Sequence, residues 1–301
     1  MLVLTWRLIT KVLIVIVFAC RVFSLRSTPT SNPEDWKVIE SLAEEYPYVV
    51  GLLNGMKDYI CTGSIISKQS ILTSGSCVTY DPKYALISAA MYNKHVNNGT
   101  VFEVAYTKLH ADYIFDLKTS DPNVTRMHSN IGLVFVTRPV LEVFINSADI
   151  GNYYASELKE KKLIAVGFGR LGTADTVALQ HQAYHQTPCT NPKWYYCVCG
   201  IEYSSYTKTY NFEFGTGAPV LYGAELVGIT ATPCGTLTMK NLGIKYNIFT
   251  VIGPYLPWID KSQMNTVNKH KLKSTTGGTS LKQSQLFKPF CILLVISKAL
   301  A

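Results

Sequence analysis

The chain has 301 residues, 48% of them hydrophobic and 16% charged, enough for one large domain or two small ones. Its formal charge of +8 sits at the two ends: Arg7, Lys11, Arg21 and Arg26 lie within residues 1–26, and seven lysines lie within residues 261–301. Neither stretch holds an acidic residue, so removing these eleven cations leaves residues 27–260 at −3, and no nucleic-acid partner is expected.

Residues 1–24 read as a signal peptide. Arg7 and Lys11 precede the nine-residue apolar run VLIVIVFAC, and Val22 and Ser24 offer a small-residue cleavage site before Leu25. The run is too short to span a bilayer comfortably, which favours secretion over an uncleaved anchor. Export makes the cysteines a disulfide inventory. Of the eight, Cys20 leaves with the signal and Cys291 lies in the tail, so Cys61, Cys77, Cys189, Cys197, Cys199 and Cys234 remain in the body.

The middle of the chain reads as all-β. Short runs such as SIISKQSILTSG, AVGFG and ELVGITA alternate with Gly, Pro, Asn and Asp clusters, and no long 3.6-residue period dominates. Asn98 and Asn123 open the sequons Asn98-Gly99-Thr100 and Asn123-Val124-Thr125 in polar, loop-like segments and are read as glycan sites. His181 and His185 share a face on a helix or a strand, but no acidic third ligand stands near them, so they are read as surface histidines. The cysteine spacings match no standard zinc finger. No metal and no cofactor is expected.

After Asp260 the run NTVNKHKLKSTTGGTSLKQSQ reads as a flexible basic linker, followed by the apolar end LFKPFCILLVISKALA. Ser274, Gly277 and Gly278 with a polar spacer and an apolar end resemble a glycolipid-anchor signal. Lys288 and Lys298 interrupt that end and favour an amphipathic or disordered extension, so a membrane partner is expected only if the tail is such a signal.

Three segments carry a family resemblance. CTGSIISKQSILTSGSC (Cys61 to Cys77) resembles C-G-G-(S/T)-L-I-x(5)-(V/L)-(L/T)-(S/T)-A-A-H-C; SNIGLVFVTRPV (Ser129 to Val140) resembles N-D-I-x-L-(I/L)-x-L-x-x-P-V; FGTGAPV (Phe214 to Val220) resembles G-D-S-G-G-P-(V/L). These are the catalytic segments of chymotrypsin-type serine proteases. YPYVVGLL (Tyr46–Leu53), IAVGFGRLG (Ile164–Gly172), ELVGI (Glu225–Ile229) and PYLPWI (Pro254–Ile259) fall in family order as an opening strand, a central strand, the strand after the nucleophile loop and the end of a C-terminal helix. The resemblance spans Val38 to Asp260. It implies two six-stranded antiparallel β-barrels with a C-terminal helix, a homology domain over 38–260, and a basic tail over 261–301.

The same resemblance implies lost chemistry. Ser76 stands where the family has its general-base histidine, Asn130 where it has the orienting aspartate, and Thr216 at the nucleophile. A serine has no titratable nitrogen near neutral pH, an asparagine has no charge to stabilise an imidazolium, and a hydroxyl without a base is a weak nucleophile. Phe214 replaces an oxyanion-hole glycine, a loss worth roughly 10²–10³ in rate. Tyr210 stands at the floor of the specificity pocket. Cleavage after Lys37 would expose Val38-Ile39-Glu40-Ser41, but Gly215 replaces the aspartate that pairs with the new amino terminus. His110 and His128 fall at no motif position and offer no replacement base.

For the disulfides the resemblance implies a Cys61–Cys77 bridge and a loop bridge from Cys189 to Cys197 or Cys199, with Cys234 taking the other. The family bridge from the central strand is absent at both ends, where Leu163 and Tyr222 stand. The expected protein is a secreted, non-catalytic serine protease homologue. Such proteins bind extracellular partners, including active serine proteases and other secreted regulators, and are common in insect haemolymph and seminal fluid. No body cysteine precedes Cys61, so a clip-type N-terminal module is not expected. The alternatives are a hydrolase rebuilt around Thr216 and a lipid-anchored adhesion protein.

Overall fold

The computed structural model describes residues 42–264 except 94–95, 98, 119–120, 141–145, 171–175, 190–196, 203–214, 232–236 and 239–244. In chain order the strands are β1 (Val49–Leu53), β2 (Tyr59–Ile65), β3 (Ser70–Thr73), β4 (Tyr84–Ile87), β5 (Met91–Asn93), β6 (Val96–Asn97), β7 (Thr100–Leu109), β8 (Ile114–Lys118) and β9 (Asp121–His128). They continue with β10 (Gly132–Val136), β11 (Lys162–Arg170), β12 (Val177–Thr187), β13 (Cys197–Glu202), β14 (Pro219–Tyr222), β15 (Glu225–Thr230), β16 (Leu237–Thr238) and β17 (Lys245–Val251).

Two antiparallel barrels of six strands result. The first runs β1-β2-β3-β10-β7-β4 and closes by pairing β4 with β1. The second runs β11-β14-β15-β17-β13-β12 and closes by pairing β12 with β11. Closure removes the exposed edges that an open sheet of this composition would present. β10, read GLVFV, is buried along its whole length, so it carries no polar alternation. In β12, by contrast, His181 and His185 are exposed while Gln180, Gln182, Tyr184 and Gln186 are buried, a two-residue period.

Each barrel encloses its own core. Val50, Leu52, Phe102 and Val134 fill the first. Leu163, Tyr184, Val220 and Phe249 fill the second, with the Tyr184 and Phe249 rings edge to face at 5.3 Å. Leu163 is fully buried there and Tyr222 packs on the same cluster, so apolar packing occupies the two places where the family's central-strand bridge is missing.

Two sequence expectations are corrected. Pro254–Ile259 opens the C-terminal helix and does not end it: a 3-10 turn over Gly253–Tyr255 leads into helix over 256–264. Pro254 and Pro257 fall in first turns, where a missing N–H breaks no helical bond. The helix therefore passes the expected start of the tail at 261. Asn123 lies on β9, paired with β8 in a two-stranded ribbon, and not in a loop. Asn98 lies outside the described residues. No helix among the described residues is long and apolar enough to cross a membrane.

Candidate functional site

Three connections meet at the expected site. β3 ends at Thr73 and passes into a one-turn helix, Gly75–Thr79, which carries Ser76 and Cys77. The β9–β10 link carries Ser129 and Asn130. The turn before β14 carries Gly215, Thr216 and Gly217.

Ser74 caps the short helix, its hydroxyl accepting the Cys77 N–H at 3.3 Å. The same oxygen lies 2.9 Å from the Ser76 hydroxyl. Ser76 donates its backbone N–H to Asn130 Oδ1 at 2.9 Å, and Asn130 Nδ2 donates to the Ala231 carbonyl at 3.1 Å. Asn130 is fully buried and Ser76 nearly so. Asn130 thus ties the first barrel's helix to the strand end after β15.

Thr216 is held from the other side. Its carbonyl accepts the Thr62 N–H at 2.9 Å and touches Cys77 Sγ at 3.2 Å. Gly217 donates to the Thr230 carbonyl at 2.9 Å, while the Thr230 hydroxyl accepts from Ala218 N at 2.8 Å and donates to the Gly215 carbonyl at 3.2 Å. Gly217 has φ +88°, and a Cβ there would collide with Thr73 Oγ1 and the Thr62 carbonyl. Only glycine fits that turn. The short helix thus meets Asn130 through Ser76 and the Thr216 turn through Cys77.

Ser74, Ser76, Thr216 and Thr230 bring hydroxyls to the site and Asn130 a carboxamide, none of which ionises near neutral pH. Among the described residues, no hydrogen bond reaches the Thr216 hydroxyl. The Tyr113 ring covers Gly75, and burial pushes its phenol up to about 12 despite a hydrogen bond with Thr79 that pulls the other way. His110 lies beside the site on the Tyr255 ring, centroids 5.3 Å apart. Its Nδ1 accepts the Asp112 N–H at 3.2 Å, and burial holds its pKa below the ordinary value. His128 Nδ1 lies 2.9 Å from the Ser129 hydroxyl and 3.0 Å from the Asp112 carbonyl.

Cys61 is bonded to Cys77 and Cys189 to Cys199. The second bond resolves the choice that the sequence left between Cys197 and Cys199. Cys234, Tyr210, Phe214 and Lys37 lie outside the described residues. Exposed His181 and His185 lie on one face of β12, and no group of three metal-binding side chains occurs among the described residues.

The trypsin family profile matches residues 37–259. The chain belongs to the trypsin family. Among solved structures it is similar to mouse neuropsin, a serine protease expressed in the limbic system of the brain, at 20% identity and a TM-score of 0.55, covering 72% of this chain and 95% of that one. It is also similar to kallikrein-related peptidase 10 in complex with Zn2+, at 17% identity and a TM-score of 0.54, covering 73% and 97%. At these identities the likeness concerns the fold. A search of curated proteins found no match.

Within the trypsin-family scaffold two residues were missed by sequence reasoning. Tyr59 and Thr62 stand against the Thr216 turn. Their hydroxyls are 2.7 Å apart; Tyr59 also donates to the Phe168 carbonyl at 3.3 Å, and Phe168 N donates to Thr62 Oγ1 at 3.2 Å. Burial raises the Tyr59 phenol well above its ordinary pKa, a shift that the Thr62 bond partly offsets. The sequence held half of the signal: Thr62 occupies the first glycine of the family's C-G-G pattern.

Proposed function

We propose that this protein is a secreted, non-catalytic member of the trypsin family that works by binding other extracellular proteins. The observation that carries this reading is the use of Asn130. Its carboxamide joins Ser76 N–H to the Ala231 carbonyl, with acceptor and donor both engaged by backbone. The position that would orient a catalytic base instead braces the two barrels against each other.

Ser76 supports the same reading, since its hydroxyl pairs with another serine and not with a base. Two disulfides and the leader-like start suit an oxidising, extracellular setting. Regulators or decoys in protease cascades of insect secretions, such as seminal fluid or haemolymph, are the roles that fit a protease scaffold without protease chemistry. The partners are then active serine proteases or other secreted regulators, engaged through the loops around the cleft.

Fluorophosphonate labelling of the purified chain tests the chemistry. No covalent adduct at Thr216 is expected, and an adduct there would overturn the reading. Affinity capture from the native secretion, followed by mass spectrometry, identifies the partner.

A further inference from the structure

We propose that Tyr59 and Thr62 form a built-in latch on the Thr216 turn, so that the turn takes its shape in the uncut chain without an inserted amino terminus. In active relatives, as the family resemblance implies, the new amino terminus pairs with an aspartate just before the nucleophile. Here that position is Gly215.

The geometry closes that route. A Cβ on Gly215 would collide with the Tyr59 hydroxyl and stand 3.0 Å from Thr62 Oγ1. Any side chain at 215, a carboxylate included, would have to displace the tyrosine. The phenol therefore fills the space from which an ion pair would be made.

The same phenol also holds the turn. Phe168 N–H donates to Thr62 Oγ1, the Thr62 hydroxyl donates to Tyr59 Oη, and Tyr59 Oη donates to the Phe168 carbonyl. This closed ring uses each hydroxyl once as donor and once as acceptor. The Phe168 carbonyl accepts the Gly215 N–H at 3.0 Å, and Thr62 N donates to the Thr216 carbonyl at 2.9 Å. The ring thus reaches the turn at two consecutive residues. The Tyr59 and Phe168 rings lie against each other, centroids 6.0 Å apart, which limits movement of the phenol. At neutral pH burial keeps the phenolic hydrogen in place, as donation to Phe168 requires.

The latch sets the shape of the turn and holds whether or not the Thr216 hydroxyl reacts. Amide hydrogen exchange over residues 215–218 tests it on the full secreted chain. One preparation is left uncut; in the other, a site-specific protease sequence ending at Lys37 is introduced and cut. Equal protection in both is expected. Tyr59→Phe and Thr62→Val each remove a hydroxyl that makes two hydrogen bonds of the ring, and each is expected to speed exchange of these amides at least about tenfold. Gly215→Ala is expected to lose protection and to regain part of it when combined with Tyr59→Phe. Protection that rises on cutting, or variants that exchange like the parent, would overturn the latch. Absence of relief in the double variant would overturn it too.

Discussion

Asn130 accepts the Ser76 backbone N–H through its side-chain oxygen at 2.9 Å, across a sequence separation of 54 residues. Its nitrogen donates to the Ala231 carbonyl at 3.1 Å. A carboxylate could keep the first bond but has no hydrogen for the second. Asn130→Asp would therefore set two acceptors against each other in a buried place. A loss of about 1–3 kcal/mol is expected by chemical denaturation. A variant as stable as the parent would show that the bridge to Ala231 contributes nothing.

Gly217 turns the chain at φ +88°, with Thr73 Oγ1 and the Thr62 carbonyl where a Cβ would go. Gly217→Ala adds backbone strain of about 1–2 kcal/mol and an overpacking cost of about 1–3 kcal/mol. Thermal unfolding should show a clear drop in Tm. A change within the error of the measurement would mean that the turn relaxes freely.

The Cys61–Cys77 bond closes a separation of 16 residues beside the Thr216 carbonyl. Replacing both cysteines with serine is expected to cost about 3 kcal/mol through the unfolded chain's regained freedom. The Cys189–Cys199 bond, over a separation of 10, should cost somewhat less. Denaturation of the two double variants under identical conditions checks the order.

His110 makes stability depend on pH. Burial lowers its pKa most, Asp112 pulls it up, and His128 pushes it down again. The Tyr255 ring faces it, and its Nδ1 acts as acceptor for Asp112 N, which requires the neutral form. With the folded pKa below the unfolded value of 6.5, the unfolded chain takes up the proton first. Stability is therefore full above that value, falls as pH drops through it, and levels off below the folded pKa. Tm measured from pH 8 to pH 5 should show this step, and His110→Gln should flatten it. A profile unchanged by His110→Gln would assign the step to other groups.

How far the sequence could be read depended on distance along the chain. Cys61 and Cys77 flank one segment, so their bond follows once the segment is recognised. Cys197 and Cys199 stand two apart, a spacing that gives both the same face of any strand, so spacing could not choose between them. The β12–β13 register decides, because Thr187 pairs with Cys199 and Cys189 lies two residues beyond Thr187. Resemblance alone places the Pro254–Ile259 segment at the helix end, whereas Pro254 and Pro257 fall in first turns, where a missing N–H breaks no helical bond. Tyr59 gave no signal at all, since its role arises from a meeting with Gly215, 156 positions away, that only the paired barrels create.

Turnover of a chromogenic peptide ester by the purified chain, measured beside its Thr216→Val variant, tests the central claim most directly. The two are expected to match the uncatalysed background at every pH between 6 and 9. Hydrolysis by the parent that disappears in Thr216→Val would contradict it, because the threonine oxygen would then have found a base.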